Sequence, residues 1–523
     1  MEYWLQRVTI YIVILAGLVL AVFAGLAAGN SDFRLVLSVV AGLAVFALYF
    51  GVYRYYWIFT VITIFIPGNL NFIPAGLQAF EVLLMLGVFR FAFDQVVFGS
   101  KTVQIGNKTE FICITALFLI LFWHGSGERF GMRILGSANW GGRAYIGVIF
   151  AYLTYIIFQT VRFDLKAWKW LPLLAFIPAL LDAGVRILTK FVPSSAIYIY
   201  QVYGGVTRAG LDMTTGLVDD NALIQASRLG ELASIGAPLL LVILAYFHLK
   251  DLWKPKYWII FLLLLGCVLL AVMGGYRSSV LALILVLGAG LFREYRWLAI
   301  VPATVVTLLG GGIIAYHNYG GWEMPLGAQR ALVFLPGKWD PAAVSSAKGS
   351  DDFRFETWEK WDKAHFKEKP LLGRGFGFSS SVMSDIMGAY DRRDDYLLRQ
   401  TLLLTGELHN GFLSVVDRVG IVGAVFFSIW WVITLWHIFT VLNTPHLREF
   451  NPALTWCALY LSAATLLYVV GSLRLDGWLP QQIVIVGLMN RLIREANLVE
   501  KARLESLKTT QTAHETELQE VKA

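Results

Sequence analysis

The chain has 523 residues, 57% of them hydrophobic and 15% charged, with a mean hydropathy of +0.63. A soluble domain is about 45–50% apolar; here the excess lies in long uncharged runs, which exclude a soluble globular protein and mark a polytopic membrane protein. The net charge of +7 does not point to nucleic acid, because the basic residues sit in short turns between apolar runs, where the positive-inside bias puts them.

In chain order, candidate spans fall at roughly 8–28, 35–52, 54–67, 77–97, 109–124, 143–161, 168–186, 232–248, 257–273, 278–292, 297–315, 414–440, 453–472 and 477–492. The third and last are short, so the sequence predicts an all-α protein with about 12–14 transmembrane helices. The first run follows Arg7 and is longer than a typical signal-peptide core, so it reads as an uncleaved span. With the N-terminus in the cytoplasm, the internal turns carry Arg54; Arg90, Lys101 and Lys108; Arg162, Lys166 and Lys169; Lys250, Lys254 and Lys256; Arg293 and Arg296; Arg448; and Arg491 and Arg494. Both termini are then cytoplasmic. Cys113, Cys267 and Cys457 each lie inside an apolar run and read as core residues.

This divides the chain into four parts. Residues 1–315 hold the first eleven spans and an external segment near 187–231, and residues 316–413 form one large external loop. Residues 414–493 hold the last spans, and 494–523 are a charged tail, helical or disordered, on the cytoplasmic side. A loop of nearly a hundred residues without a function is uncommon. Within it, residues 353–366 mix aromatic and charged residues at near-helical spacing, and Pro370 ends that pattern.

Several residues on the external side stand out. Arg228 precedes a span, and is either a helix-end partner of Glu231 or an anion ligand. Arg277, in Gly274-Gly275-Tyr276-Arg277-Ser278-Ser279, is either a snorkelling anchor or a phosphate-binding fork beside a helix N-terminus. Arg354 and Arg374 lie in the large loop and read as surface charges or as contacts to a ligand. His409 opens an apolar helix, where it is either packed among aromatics or a general base able to deprotonate a hydroxyl. Asp417 lies two turns further in, at a depth where a carboxylate is costly. It pairs with Arg418 or lines a polar cavity. The chain has no Asp-x-Asp pair, Walker loop, His-Glu-x-x-His or Gly-x-Ser-x-Gly. The sequence therefore favours chemistry with no metal and no cofactor, in which arginines take the place of a cation.

Over roughly residues 220–425 the chain resembles the O-antigen ligase and O-antigen polymerase family of bacterial envelope glycosyltransferases. The resemblance rests on Arg228, on Arg277, and on Arg354 and Trp358 leading to Pro-Leu-Leu-Gly-x-Gly-x-Gly (Pro370 to Gly377). It closes on His409, Asn410, Leu413, Gly420 and Gly423. It implies an inner-membrane protein with its active site facing the periplasm and a large periplasmic loop. Arg228 and Arg277 would hold the pyrophosphate of an undecaprenyl-linked glycan donor, and His409 would activate the hydroxyl of a glycan or lipid-core acceptor. Asn410 and Asp417 would join Arg354 and Arg374 as contacts near the loop. The sequence after Arg228 follows the family pattern only loosely, and Arg418 occupies the neighbourhood where the family often has a carboxylate. The implied partners are the lipid-linked donor, the acceptor and membrane lipids.

A carrier or flippase for lipid-linked sugars is the alternative. Such a protein places polar sites near the bilayer midplane, which Glu81 and Asp417 would satisfy.

Overall fold

The computed structural model describes residues 53–66, 77–98, 105–132, 139–161, 163–192, 230–252, 254–379, 405–471 and 474–522, with isolated positions besides. The first predicted span, nearly all of the second, Arg228 and the stretch 380–401 lie outside the described residues.

The protein is an all-α polytopic membrane protein. Numbered in chain order, its helices of seven residues or more among the described residues are α1 (Tyr53–Thr63), α2 (Ala79–Phe98), α3 (Lys108–Gly127), α4 (Gly142–Phe158), α5 (Leu171–Phe191), α6 (Gly230–Tyr246), α7 (Trp258–Met273), α8 (Arg277–Tyr295), α9 (Ile300–Asn318), α10 (Leu326–Leu332), α11 (Pro341–Trp361), α12 (Gly411–Asn443), α13 (Pro452–Val470) and α14 (Leu475–Lys522). Among the described residues, six stretches are long and apolar enough to cross a membrane. One of them, Arg277–Asn318, is 42 residues long and contains two predicted spans, α8 and α9. Arg296, at φ 52, turns the chain between them.

In lipid the backbone must satisfy its own hydrogen bonds, so apolar runs of this length become helices. Their ends are closed by side chains. Asn107, Asn410 and Asn451 cap α3, α12 and α13, accepting from the N–H groups of Glu110 (3.1 Å), Leu413 (3.2 Å) and Ala453 (2.9 Å). The centre of the bundle is the first part of α14. Ile483, Val484, Ile485, Val486, Leu488 and Met489 are all buried, so this segment is covered on every face. The opposite case is α7 and α9, whose Ile259, Leu262, Ile300 and Leu308 are exposed and form part of a broad apolar surface suited to lipid.

Several of the basic turns meet at one end of the bundle. Leu165 accepts from Asn451 Nδ2 (3.0 Å), His248 meets Glu294 (2.7 Å), and Arg293 accepts from Arg448 (2.8 Å). The other end carries the large loop. There Arg330 donates to the carbonyl of Gly275 (3.0 Å), and His124 Nε2 meets that of Leu372 (2.8 Å). The two-residue strands Asn139–Trp140 and Phe378–Ser379 pair antiparallel at the same end.

One helix is broken at this end. Gly420 in α12 has φ 67 and ψ −173, a region that essentially only glycine occupies. The break frees backbone groups on both sides of it, and the glycine-rich stretch of the loop takes them up. Arg374 and Gly375 donate to the carbonyls of Asp417 (2.9 Å) and Arg418 (3.0 Å), while Ile421 and Val422 donate to those of Pro370 (2.8 Å) and Leu371 (3.1 Å). A side chain on Gly420 would run into the carbonyl of Leu371, and one on Gly373 into the backbone of Arg418. The Gly-x-Gly-x-Gly run is thus a close-fitting strap over the broken helix. Gly420→Ala should lower stability by roughly 1–3 kcal/mol or more, read as earlier thermal unfolding in detergent; Gly349→Ala, on an open helix face, should instead raise it by about 0.5–1 kcal/mol.

Candidate functional site

Helix α11 organises the loop end. Asp340 caps it, accepting from Ala342 N–H (2.7 Å), and Pro341 stands in its first turn, where a missing N–H costs nothing. It covers much of the stretch 353–366 and ends in a wider π-type turn at Asp362–Phe366. One face carries Trp358 and Trp361 toward the start of α12. Trp358 Nε1 donates to the carbonyl of Leu408 (2.6 Å) and Trp361 Nε1 to Asp417 Oδ1 (2.9 Å).

Three of the residues singled out in the sequence meet along a single turn of this helix. Arg277 donates to both carboxylate oxygens of Asp351 (3.0 and 2.8 Å). Arg354 lies 3.6 Å from the same carboxylate. The ring of His409 stands edge-on to Phe353, with centroids 5.9 Å apart. Arg330, which the sequence did not mark out, joins them. It donates to Ser346 Oγ (2.9 Å) and to the carbonyl of Gly275, two residues before Arg277, so it fixes the turn that presents Arg277. The bond to Arg277, with further help from the charges of Arg354 and Arg330, holds the Asp351 carboxyl below its ordinary range.

His409 is half-buried and adopts φ 51, the left-handed region, which costs energy for any residue with a side chain. Its neighbours hold it there: Leu408 is tied to Trp358, and Asn410 caps α12. Its Nδ1 is buried and has no hydrogen-bond partner among the described residues. Burial, with a contribution from the positive charge of Arg354, holds the imidazole below its ordinary value of 6.5. The ring is therefore neutral at physiological pH and has a lone pair available to take a proton.

The remaining candidates have structural partners. Arg374 grips Asp417 through Nε (3.0 Å) and Nη2 (2.7 and 2.9 Å), and Arg418 lies 3.3 Å from the same carboxylate. Asp417 is thus paired, and Arg374 is bound beneath the strap rather than at the surface. Asn410 is a helix cap. Glu81 is likewise paired, at 3.0 Å from Arg143. Arg228 lies outside the described residues, so the assembled set is Arg277, Arg330, Asp351, Arg354 and His409.

A scan of the chain against protein-family models gives no match, and no curated protein is detectably similar to it in sequence.

Arg374 and Asp417 form a buried pair, with side-chain exposures of 17% and 1%. Removing one partner of such a pair leaves an uncompensated charge and costs about 3–5 kcal/mol. Asp417→Ala should lose about that much, measured by chemical unfolding in detergent. Adding Arg374→Ala should cost far less than Arg374→Ala costs alone, because the two residues act as one unit.

Proposed function

We propose that the protein is a membrane glycosyltransferase that moves or polymerises a glycan from an undecaprenyl-pyrophosphate donor in the making of a surface polysaccharide. The observation that carries this reading is the meeting of Arg277, Arg354 and His409 along one turn of α11. A neutral imidazole beside a group of arginines is what glycosyl transfer from a pyrophosphate needs: a base for the acceptor and cations for the leaving group.

His409 takes the proton of the acceptor hydroxyl as its oxygen attacks the anomeric carbon. The bond from that carbon to the pyrophosphate oxygen breaks, and undecaprenyl pyrophosphate leaves with the electron pair. A single displacement inverts the anomeric configuration. Arg277, with Arg228, stabilises the charge that develops on the leaving pyrophosphate. Arg277 is engaged by Asp351, but both side chains are partly exposed, at 25% and 40%. An ion pair of that kind is worth about 0–1 kcal/mol, so a pyrophosphate with more charge displaces the carboxylate readily. The donor is already activated, and positioning with charge stabilisation suffices. The two intramembrane acids that would serve a carrier, Glu81 and Asp417, are each held by arginine, which favours the enzyme over the flippase reading. The site faces the periplasm of a bacterial inner membrane, with both termini in the cytoplasm.

Purified protein given an undecaprenyl-pyrophosphate glycan and an acceptor glycan should release free lipid pyrophosphate. His409→Ala should cut that rate by about 10²–10⁴-fold and Arg277→Ala should cut it strongly as well; full activity in both folded variants would sink the site. The rate should rise with pH and level off below the ordinary histidine value of 6.5, because the neutral imidazole is the active form. Arg354→Gln removes a charge that opposes protonation, so it should move this acid limb to higher pH.

The topology is tested separately. The three native cysteines are buried, so one introduced thiol can be labelled over little background. Lys367→Cys should react with an impermeant reagent from outside and Lys508→Cys only after the membrane is opened. The opposite pattern would refute the proposed orientation.

A further inference from the structure

At the end of the bundle that carries the basic turns, remote from His409, α3, α4, α12 and α14 border an open cavity of about 810 Å³. Lys108, Arg494 and Lys501 line it, and among the described residues no acidic side chain does. The nearby Glu110 carboxylate is engaged by Tyr155 (2.9 Å) and Asn490 (2.6 Å) and lies 3.1 Å from His437. Lys501 has an acid, Glu505, at 4.0 Å, and both side chains are exposed, a weak pairing.

Two further features of the wall fit an anion. The N-terminus of α3 opens onto the cavity at Asn107 and Lys108. Its cap takes up the N–H of Glu110, leaving other first-turn amides without an intrahelical acceptor. At the end of α4, Gln159 lines the cavity and is 4% exposed, yet its Nε2 has no hydrogen-bond partner among the described residues. A buried amide donor without an acceptor costs about 1–3 kcal/mol, a cost that an oxygen-rich ligand would remove.

We propose that this cavity is a binding site for a phosphate group, held by Lys108, Arg494 and Lys501 with the Gln159 amide and the α3 N-terminus beneath it. A phosphate is the fit because the wall offers several donors and cations and the volume admits more than a lone ion. Basic pockets between spans at the cytoplasmic face suit anionic headgroups, and a soluble phosphate ester carries the same chemistry. The site lies apart from the residues assigned to glycosyl transfer, and the inference does not depend on that reading.

Native mass spectrometry of the full-length protein in detergent tests it, with phosphatidylglycerol, phosphatidylcholine and glycerol 3-phosphate as probes. Preferential retention of phosphatidylglycerol over phosphatidylcholine identifies a lipid headgroup; retention of glycerol 3-phosphate identifies a soluble source. In either case the double variant Lys108→Gln/Arg494→Gln should weaken retention roughly tenfold or more, and Arg503→Gln, a tail charge that does not line the cavity, should leave it unchanged. Gln159→Leu keeps every charge and should also weaken it. Equal retention of both lipids with none of the soluble phosphate, or binding that the double variant and Gln159→Leu leave intact, would overturn the proposal.

Discussion

The backbone pairing between residues 370–375 and the break in α12 holds the loop end together. A helix interrupted near a membrane surface leaves carbonyl and N–H groups that lipid cannot satisfy, and each such group, left buried and unpaired, costs about 1–3 kcal/mol. Here four backbone bonds answer the break, and Arg418 adds a fifth contact by donating to the carbonyl of Gly375 (2.8 Å). The pairing also explains the glycines. Gly373, Gly375 and Gly420 all have positive φ and lie where a side chain would strike a neighbour. The strap then sets the rest: Arg374 reaches Asp417 because the strap carries it there, and Trp361 completes the carboxylate's partners.

From that anchor the arrangement extends outward. Helix α11 leans on the start of α12 through Trp358 and Trp361, and its middle turn faces Arg277 and His409. The loop is therefore fixed at two levels. The lower level, around Asp417, is buried and costly to disturb. The upper level, around Asp351, is partly exposed and cheap to rearrange. A site that exchanges a carboxylate for a ligand needs that order, with rigid support beneath and a weak ion pair on top.

Much of this was legible in the chain. Long uncharged runs mark the helices, and several of the turns rich in lysine and arginine meet at one end of the described bundle. His409 and Arg277 were legible as unusual polar residues near helix ends, while Arg354 read only as a charge in the large loop. Their partners were not: Asp351 lies 74 residues from Arg277, and only the fold decides which acid meets which arginine. Arg374 read equally well as a surface charge, because burial beneath the strap is a tertiary effect. Gly420 and Gly423 look like ordinary glycines of a packed helix, and the break at the first depends on a segment about fifty residues upstream. The last span, 477–492, looked short because Asp476, Pro480 and two glutamines interrupt its start. Tertiary packing overrides those breakers, and the helix runs on through the charged tail to Lys522.

Helix α14 has one further consequence. It begins at Leu475, at the end that holds the loop, passes through the buried centre, and lines the cavity at the far end with Arg494. At 1.5 Å per residue, Leu475 to Arg494 spans about 30 Å, close to the thickness of a hydrocarbon core. Because this rod is sealed inside the protein, it acts as an internal ruler. The separation between the two ends is set by the pitch of one continuous helix and stays constant when the surrounding bilayer thins or thickens.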